Sequence, residues 1–313
     1  MTAGMGLFLN TADAAESSKE FITENINKPR METPESARMN TRSIPATGEA
    51  LPVIGCGTWI GFDAIADTAQ YQRLPGVLDA LVRAGGSVID SSPMYGRAEA
   101  VIGELIVAAP AMRKQSFLAT KVWTSGRDAG IAQMERSIAL MKAGTMDLMQ
   151  IHNLVDWRTH LATLRQWQEA GRIRYIGLTH YTSSAYRDLE AAMRSAKPDF
   201  VQLNYSIDDR AAEQRLLPLA RELGVAVLVN MPFGGGGLLR SLAAVPLPGW
   251  APEVGCQSWA QVLLKFVISH PAVTCAIPGT SRAEHMAQNA AAGSGVMFDE
   301  AMRQRVLKDW QAR

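Results

Sequence analysis

The segment VIDSSPMYG (88–96) begins as an apolar strand and ends in a carboxylate, Asp90, with a phenol, Tyr95, five residues further on. Two other short apolar runs also end on reactive groups: SFLATKVW delivers Lys121, and MDLMQIHN delivers His152. An acid, an ammonium, an imidazole and a phenol together suit the transfer of a proton to an oxygen that is gaining negative charge, as when hydride adds to a carbonyl carbon. A phenol is a sluggish acid at its reference pKa of ~10, and an ammonium beside it favours the phenolate and lowers that value. In this scheme Lys121 supplies the charge and Asp90 holds Lys121 in place and protonated. His152 donates a hydrogen bond that orients the carbonyl oxygen, and Tyr95 is the proton donor. Each residue also has an ordinary reading: a strand-ending Asp caps a turn, a rim lysine is solvated, a rim histidine is merely hydrogen-bonded. A lysine at a barrel strand end also fits Schiff-base chemistry, although an acidic partner keeps the amine charged and a poor nucleophile.

For these groups to meet, their strands must be neighbours. From Val53 onward, apolar runs alternate with amphipathic stretches of ten or more residues. The runs are VIGCGTW, SVIDSS, SFLATKVW, MDLMQIHN, RYIGLTHY, FVQLNYS, VAVLVN and VTCAIPG. The stretches between and after them predict helices over 71–83, 98–107, 129–141, 158–170, 183–194, 211–223, 258–269 and 282–292, with one more over 297–310. The first places Leu74, Val77, Leu78 and Leu81 on one stripe, and Gly171 and Gly224 stand where helices should stop. Strands of continuous apolar character belong in parallel sheets covered by helices. Eight such units predict a closed (β/α)8 barrel, whose chemistry collects at the C-terminal strand ends. An open doubly wound sheet is the competing fold. Its dinucleotide fingerprint is missing, because the first strand continues as GCGTWIG without the required glycine spacing. The glycine run 234–237 comes after the seventh strand and is taken as a flexible loop. Ahead of the first unit, residues 44–54 suggest a hairpin turning at Gly48 that plugs the bottom of the barrel.

With 313 residues, 47% hydrophobic, the chain is long enough for a large buried core. A net charge of +1 offers no electrostatic case for nucleic acid or an acidic membrane surface, and no apolar run approaches the roughly 20 residues of a membrane span. The scattered Cys56, Cys256 and Cys275 suggest neither a disulfide framework nor a zinc site, and the five histidines show no paired metal spacing. Residues 1–40 stand apart as a flexible N-terminal arm. Its short apolar patch and the small residues at 12–15 have the look of a signal remnant but lack a charged start. The expected location is therefore cytoplasmic, with a periplasmic alternative.

The motifs GEALPVIGCGTW, VIDSSPMYG, ATKVW, LMQIHN, GLTHY, FVQLNYS and AIPGTSRAEHMAQN, in order and in register, resemble those of the aldo-keto reductase family over about residues 43–292. The resemblance implies a (β/α)8 barrel that binds NADPH, with NADH possible, and a tetrad of Asp90, Tyr95, Lys121 and His152. It implies that Gly57 and Thr58 lie near the nicotinamide ribose and pyrophosphate, and that Gln202 holds the nicotinamide carboxamide. It further implies that Gly279, Thr280, Ser281, Arg282, Gln288 and Asn289 hold the adenosine end, at a helix start where anions are favoured. This sequence departs from the family at three places. Thr179 and His180 replace the usual Ser-Asn beside the carboxamide. Asn230 stands where many members stack a tyrosine, so stacking falls to Met231 or Phe233 around Pro232. His285 takes the place of the arginine that grips the 2′-phosphate, leaving Arg282 as substitute because a guanidinium suits phosphate.

Trp59, Tyr95 and Trp123 predict an apolar mouth suited to carbonyls on aromatic or aliphatic carriers, and the Pro-rich stretch 243–253 is expected to bring Trp250 over it. An open pocket with broad aldehyde selectivity follows, on a monomer or weak homo-oligomer. The rival function is a cofactor-bound regulatory subunit with little turnover, as in the potassium-channel β subunits that share this fold.

Overall fold

The computed structural model describes residues 38–312. The eight apolar runs form β3 (Cys56–Gly57), β4 (Val88–Asp90), β5 (Phe117–Val122), β6 (Met146–His152), β7 (Ile173–Thr179), β8 (Phe200–Asn204), β9 (Ala226–Asn230) and β10 (Cys275–Ala276). They pair in parallel and in chain order from β3 to β10. Parallel bridges from Ile54 to Ala276 and from Gly57 to Gly279 close the ring. The predicted (β/α)8 barrel is therefore the fold.

Side chains alternate across each strand, and this alternation places the chemistry. Along β5, Phe117, Ala119 and Lys121 share one face. Along β6 the same face carries Leu148, Gln150 and His152, along β7 Tyr175, Gly177 and Thr179, and along β8 Phe200, Gln202 and Asn204. The lower members of these sets make up a separate apolar cluster inside the ring, with Val88, Ala226, Leu228, Cys275 and Ile277. The upper members are the polar groups. Residues of opposite phase, such as Leu118, Val122, Met149 and Ile151, join the larger core beneath the helices.

The predicted hairpin is present as β1 (Thr41–Ser43) and β2 (Ala50–Pro52), antiparallel. Its turn contains Gly48 at φ +77°, a left-handed conformation that costs glycine little. Ile44 and Leu51, both fully buried, enter the inner cluster and plug the barrel from below.

The helices are α1 (Leu74–Arg83), α2 (Ala98–Ala108), α3 (Pro110–Gln115), α4 (Arg127–Leu140), α5 (Trp157–Glu169), α6 (Tyr186–Ala196), α7 (Leu216–Leu223), α8 (Gly237–Ser241), α9 (Trp259–Ile268), α10 (Ala283–Ala291) and α11 (Glu300–Gln311). All nine predicted helices are found within a few residues of their expected ends. The short α3 and α8 are additional, each too brief to show a periodic stripe. The glycine run read as a flexible loop is a tight turn, with Gly234, Gly235 and Gly236 all at positive φ, leading into α8. Of the stretch expected to be an arm, residues 1–37 lie outside the described residues. Met39 and Asn40 are instead attached to the barrel: Met39 is buried and bridges to Ser294, and the Asn40 side chain donates to the carbonyls of Gly293 and Gly295 at 2.8 Å.

Candidate active site

Register brings the strand ends together. Asp90 is level with Ala119 on β5, Lys121 with Gln150 on β6, His152 with Thr179 on β7, and Thr179 with Gln202 on β8. Because the strands slant around a barrel, Asp90, Lys121, Gln150 and Gln202 reach one another across the top of the lumen. Lys121 Nζ donates to Asp90 Oδ2 at 2.6 Å and to the Ser91 carbonyl at 2.6 Å. Asp90 Oδ1 accepts from Gln150 Nε2 at 2.8 Å and from Gln202 Nε2 at 2.9 Å. The carboxylate thus has three donors and is almost wholly buried. Gln150 escaped the sequence reading, although its phase with His152 two residues later marks it as facing the lumen.

An ammonium has three N–H groups. Two are fixed by Asp90 and Ser91, which leaves the third for the Tyr95 phenol, whose ring centre lies 5.0 Å from Nζ. Burial acts to lower the Lys121 pKa, but Asp90 and Tyr95 outweigh it and the net shift is upward, so the lysine is charged at neutral pH. The Tyr95 pKa is raised, against the expectation of a more acidic phenol: burial raises it most, Lys121 pulls it down by charge and hydrogen bond, and Asp90 adds to the rise. The reason is that the phenol sees Lys121 together with Asp90, a nearly neutral pair, while losing its own water.

His152 is buried, with its ring edge-on to Tyr95 at 6.1 Å and tilted to Trp123 at 6.3 Å. Burial, the Lys121 charge and His180 hold its pKa down at about 3, so the imidazole is neutral. Tyr95 is held by its own loop. Asp63 Oδ1 accepts the Arg97 N–H at 2.9 Å, and Arg97 Nε donates to the Ala64 carbonyl at 3.1 Å.

The cofactor candidates divide into those that face the mouth and those that do not. Gln202 Oε1 accepts long hydrogen bonds from Thr179 Oγ1 and Asn230 Nδ2, each at 3.4 Å. Asn230 Oδ1 is buried without a hydrogen-bond partner among the described residues. His180 lies on the rim, its Nδ1 accepting the Tyr181 N–H at 3.1 Å. Gly57 and Gly279 allow the β3 loop to lie against the segment that opens α10: a Cβ on Gly57 would stand 2.7 Å from the Ile277 carbonyl. Helix α10 begins at Arg282 with no side-chain cap, and Thr280, Ser281, Arg282, His285 and Gln288 line its accessible start. The unpartnered Asn230 Oδ1, a close-set glycine pair and an uncapped helix start fit a nicotinamide dinucleotide lying along this rim.

Several expectations need correction. The Thr58 hydroxyl is fully buried against the Asp90 carbonyl and Ser91 Oγ, each at 3.0 Å, so it braces the wall instead of reaching outward. Pro232 and Phe233 are buried, Phe233 within the core, which leaves Met231 alone of the expected stacking pair. Asn289 is buried on the inner face of α10. Trp250 is no part of the mouth: its indole N–H donates to Asp309 Oδ2 at 2.7 Å and its ring meets Phe298 edge-on, because the Pro-rich stretch folds back onto α11. Trp59 and Trp123 are exposed as expected, and Ile60, Met94, Tyr181 and Met231 join them as exposed apolar side chains. A charged hollow of about 260 Å³ lies at the opposite, hairpin end. Its Glu49, Arg113, Asp147 and Arg174 are engaged with one another, so the reactive groups are those at the strand C-termini.

The chain has known relatives in sequence and in fold. The model of the Aldo/keto reductase family matches residues 53–306. The NADH-specific methylglyoxal reductase of Escherichia coli (strain K12) is 28% identical over 243 residues, covering 67% of this chain and 73% of that protein. The 6-dehydroglucose reductase of Novosphingobium aromaticivorans is 25% identical over 286 residues, covering 80% and 89%. A crystal structure of an aldo/keto reductase from Klebsiella pneumoniae in complex with NADP and acetate superposes with a TM-score of 0.73 at 26% identity, over 87% of this chain and 95% of that one. With its barrel, its buried Asp90–Lys121 pair beneath Tyr95 and a family match across most of its length, the chain belongs to the aldo/keto reductase family.

Proposed function

We propose that this protein reduces aldehydes or ketones to alcohols, taking hydride from NADPH and, less tightly, from NADH. The observation that carries the reading is the Lys121 ammonium, fixed at 2.6 Å from Asp90 with one N–H left for a phenol that faces an apolar mouth. The dinucleotide, when bound, supplies the hydride. Gln202, Asn230, Thr179 and His180 are the residues that would hold its carboxamide, and the rim from Gly279 to Arg282 with Gln288 its adenosine end.

The chain's own groups do the rest. Neutral His152 donates a hydrogen bond to the carbonyl oxygen and sets its angle. Tyr95 gives its proton to that oxygen as negative charge builds, and Lys121 stabilises the phenolate left behind. Asp90 keeps the lysine charged, which also disfavours Schiff-base chemistry. Trp59, Trp123, Met94 and Tyr181 form an apolar mouth that excludes water and accepts aromatic or aliphatic carriers without close selection. We place the reaction in a reducing cytoplasm, in keeping with three buried free cysteines, and assign it to a monomer or weak homo-oligomer.

The test is turnover of NADPH and NADH with 4-nitrobenzaldehyde and methylglyoxal, beside cofactor binding by protein-fluorescence quenching. Tyr95→Phe should lose at least about a hundredfold in kcat, the scale of general acid catalysis, with cofactor affinity nearly unchanged. Tight cofactor binding without turnover in the unmodified protein supports a regulatory subunit instead.

A further inference from the structure

We infer that Ser92 is a positioning residue: its hydroxyl donates to His152 Nδ1 and so fixes the imidazole proton on Nε2, the nitrogen left to meet the carbonyl oxygen. The inference rests on the reductase reading for its use, but its geometry stands apart from it.

Ser92 follows Asp90 and Ser91 at the end of β4 and is completely buried. Its Oγ lies 3.1 Å from His152 Nδ1. One other group lies within reach, the backbone N–H of Met94 at 3.5 Å. A buried hydroxyl must place its proton on an acceptor. The Met94 N–H can only donate, so Nδ1 is the acceptor available among the described residues. The opposite arrangement, Nδ1–H donating to Oγ, strands the serine proton in a closed space between two donors. Donor bookkeeping therefore decides the tautomer. A neutral imidazole with a bare Nδ1 carries its proton on Nε2.

The consequence for the reaction is directional. Nε2 has no hydrogen-bond partner within the protein among the described residues, and the ring that carries it packs near both Tyr95 and Trp123. With a proton on Nε2, His152 attracts a carbonyl oxygen. With a lone pair there, it repels the same oxygen, and repels it more as charge develops. The low pKa of His152 keeps the ring neutral through the working range, so its tautomer and not its charge sets the interaction.

The experiment is nitrogen-15 NMR of histidine-labelled protein, with kinetics of Ser92→Ala and Ser92→Thr. In the unmodified protein His152 should show a pyrrole-type Nε2 and a pyridine-type Nδ1. Ser92→Ala should shift both signals toward a tautomer mixture and lower kcat about tenfold, the rate equivalent of one hydrogen bond, with NADPH affinity unchanged. Ser92→Thr, which keeps the hydroxyl, should restore both signals and rate. A proton found on Nδ1 in the unmodified protein overturns the inference. So does a Ser92→Ala protein with an unaltered His152 spectrum. If Ser92→Ala does not fold, the unmodified spectrum and Ser92→Thr still decide. Absence of carbonyl turnover alongside an Nε2-protonated His152 would sink the reductase reading while leaving this assignment intact.

Discussion

Lys121 and Asp90 form an ion pair sealed from water, 2.6 Å apart, with side-chain exposures of 0% and 3%. Sealing two charges is costly, and the cost is met only when every remaining lone pair and N–H finds a partner. Here Gln150 and Gln202 complete the carboxylate, and Ser91 with Tyr95 completes the ammonium. The pair is thus a structural commitment as well as a reactive one.

Asp90→Asn should therefore do more than abolish turnover. It leaves a buried ammonium without its counter-charge, a change of about 3–5 kcal/mol in stability. Urea denaturation with activity on the same samples checks this; an Asp90→Asn protein as stable as the parent would show that the pair is not buried as described.

Acid should destabilise the protein once the pH falls below the ordinary histidine range. Burial, with Lys121 and His180, holds His152 at about 3, and burial with Arg303 holds His270 at about 4, against an ordinary ~6.5. Between these values the unfolded chain binds protons that the folded one refuses, so stability rises with pH there. The contribution is complete above pH ~6.5 and drains away as pH falls toward 4. Denaturation midpoints from pH 7.5 to 4.5 should fall steadily, and less steeply in His152→Gln. A flat profile across that window contradicts the burial of both rings. The rate of reduction should show no inflection near 6.5 from His152.

The Tyr95 loop turns at Gly96, which has φ +59° and would drive a Cβ to 2.3 Å from Asp63 Oδ1. Gly96→Ala should break the Asp63–Arg97 contact that anchors the loop and displace the phenol. The expected result is a kcat loss of about tenfold or more with a modest drop in melting temperature. Unchanged kcat would mean that the loop does not set the phenol's position.

In the proposed cofactor pose, the choice between dinucleotides turns on an exposed pair. Arg282 Nε lies 2.6 Å from Glu284 Oε1 at the start of α10, and both are more than half exposed. In that pose the carboxylate would compete with a 2′-phosphate for the Arg282 guanidinium. Arg282→Ala should weaken NADPH binding about tenfold and leave NADH binding unchanged, the scale of one charge-assisted bond. Glu284→Gln should strengthen NADPH selectively. Titration of both dinucleotides measures this; equal effects on the two would remove Arg282 from 2′-phosphate recognition.

The sequence alone determined the eight-unit alternation, the reactive strand ends and the plug hairpin, because each is written in local periodicity or a short motif. Asp90, Lys121 and His152 were legible as strand-end residues since a period of two and a stop signal suffice to place them. What only the tertiary structure decided depends on partners distant along the chain. Gln150 and Gln202 turn out to close the Asp90 carboxylate, the Tyr95 phenol is raised by burial despite its cation, and Ser92 meets His152 from sixty residues away. Trp250, aromatic and Pro-flanked near the expected mouth, was drawn instead to Asp309 on the last helix. A hydrogen-bond partner or a loss of water is a property of the packed ring, set by strand slant and register, and no stretch of sequence carries it by itself.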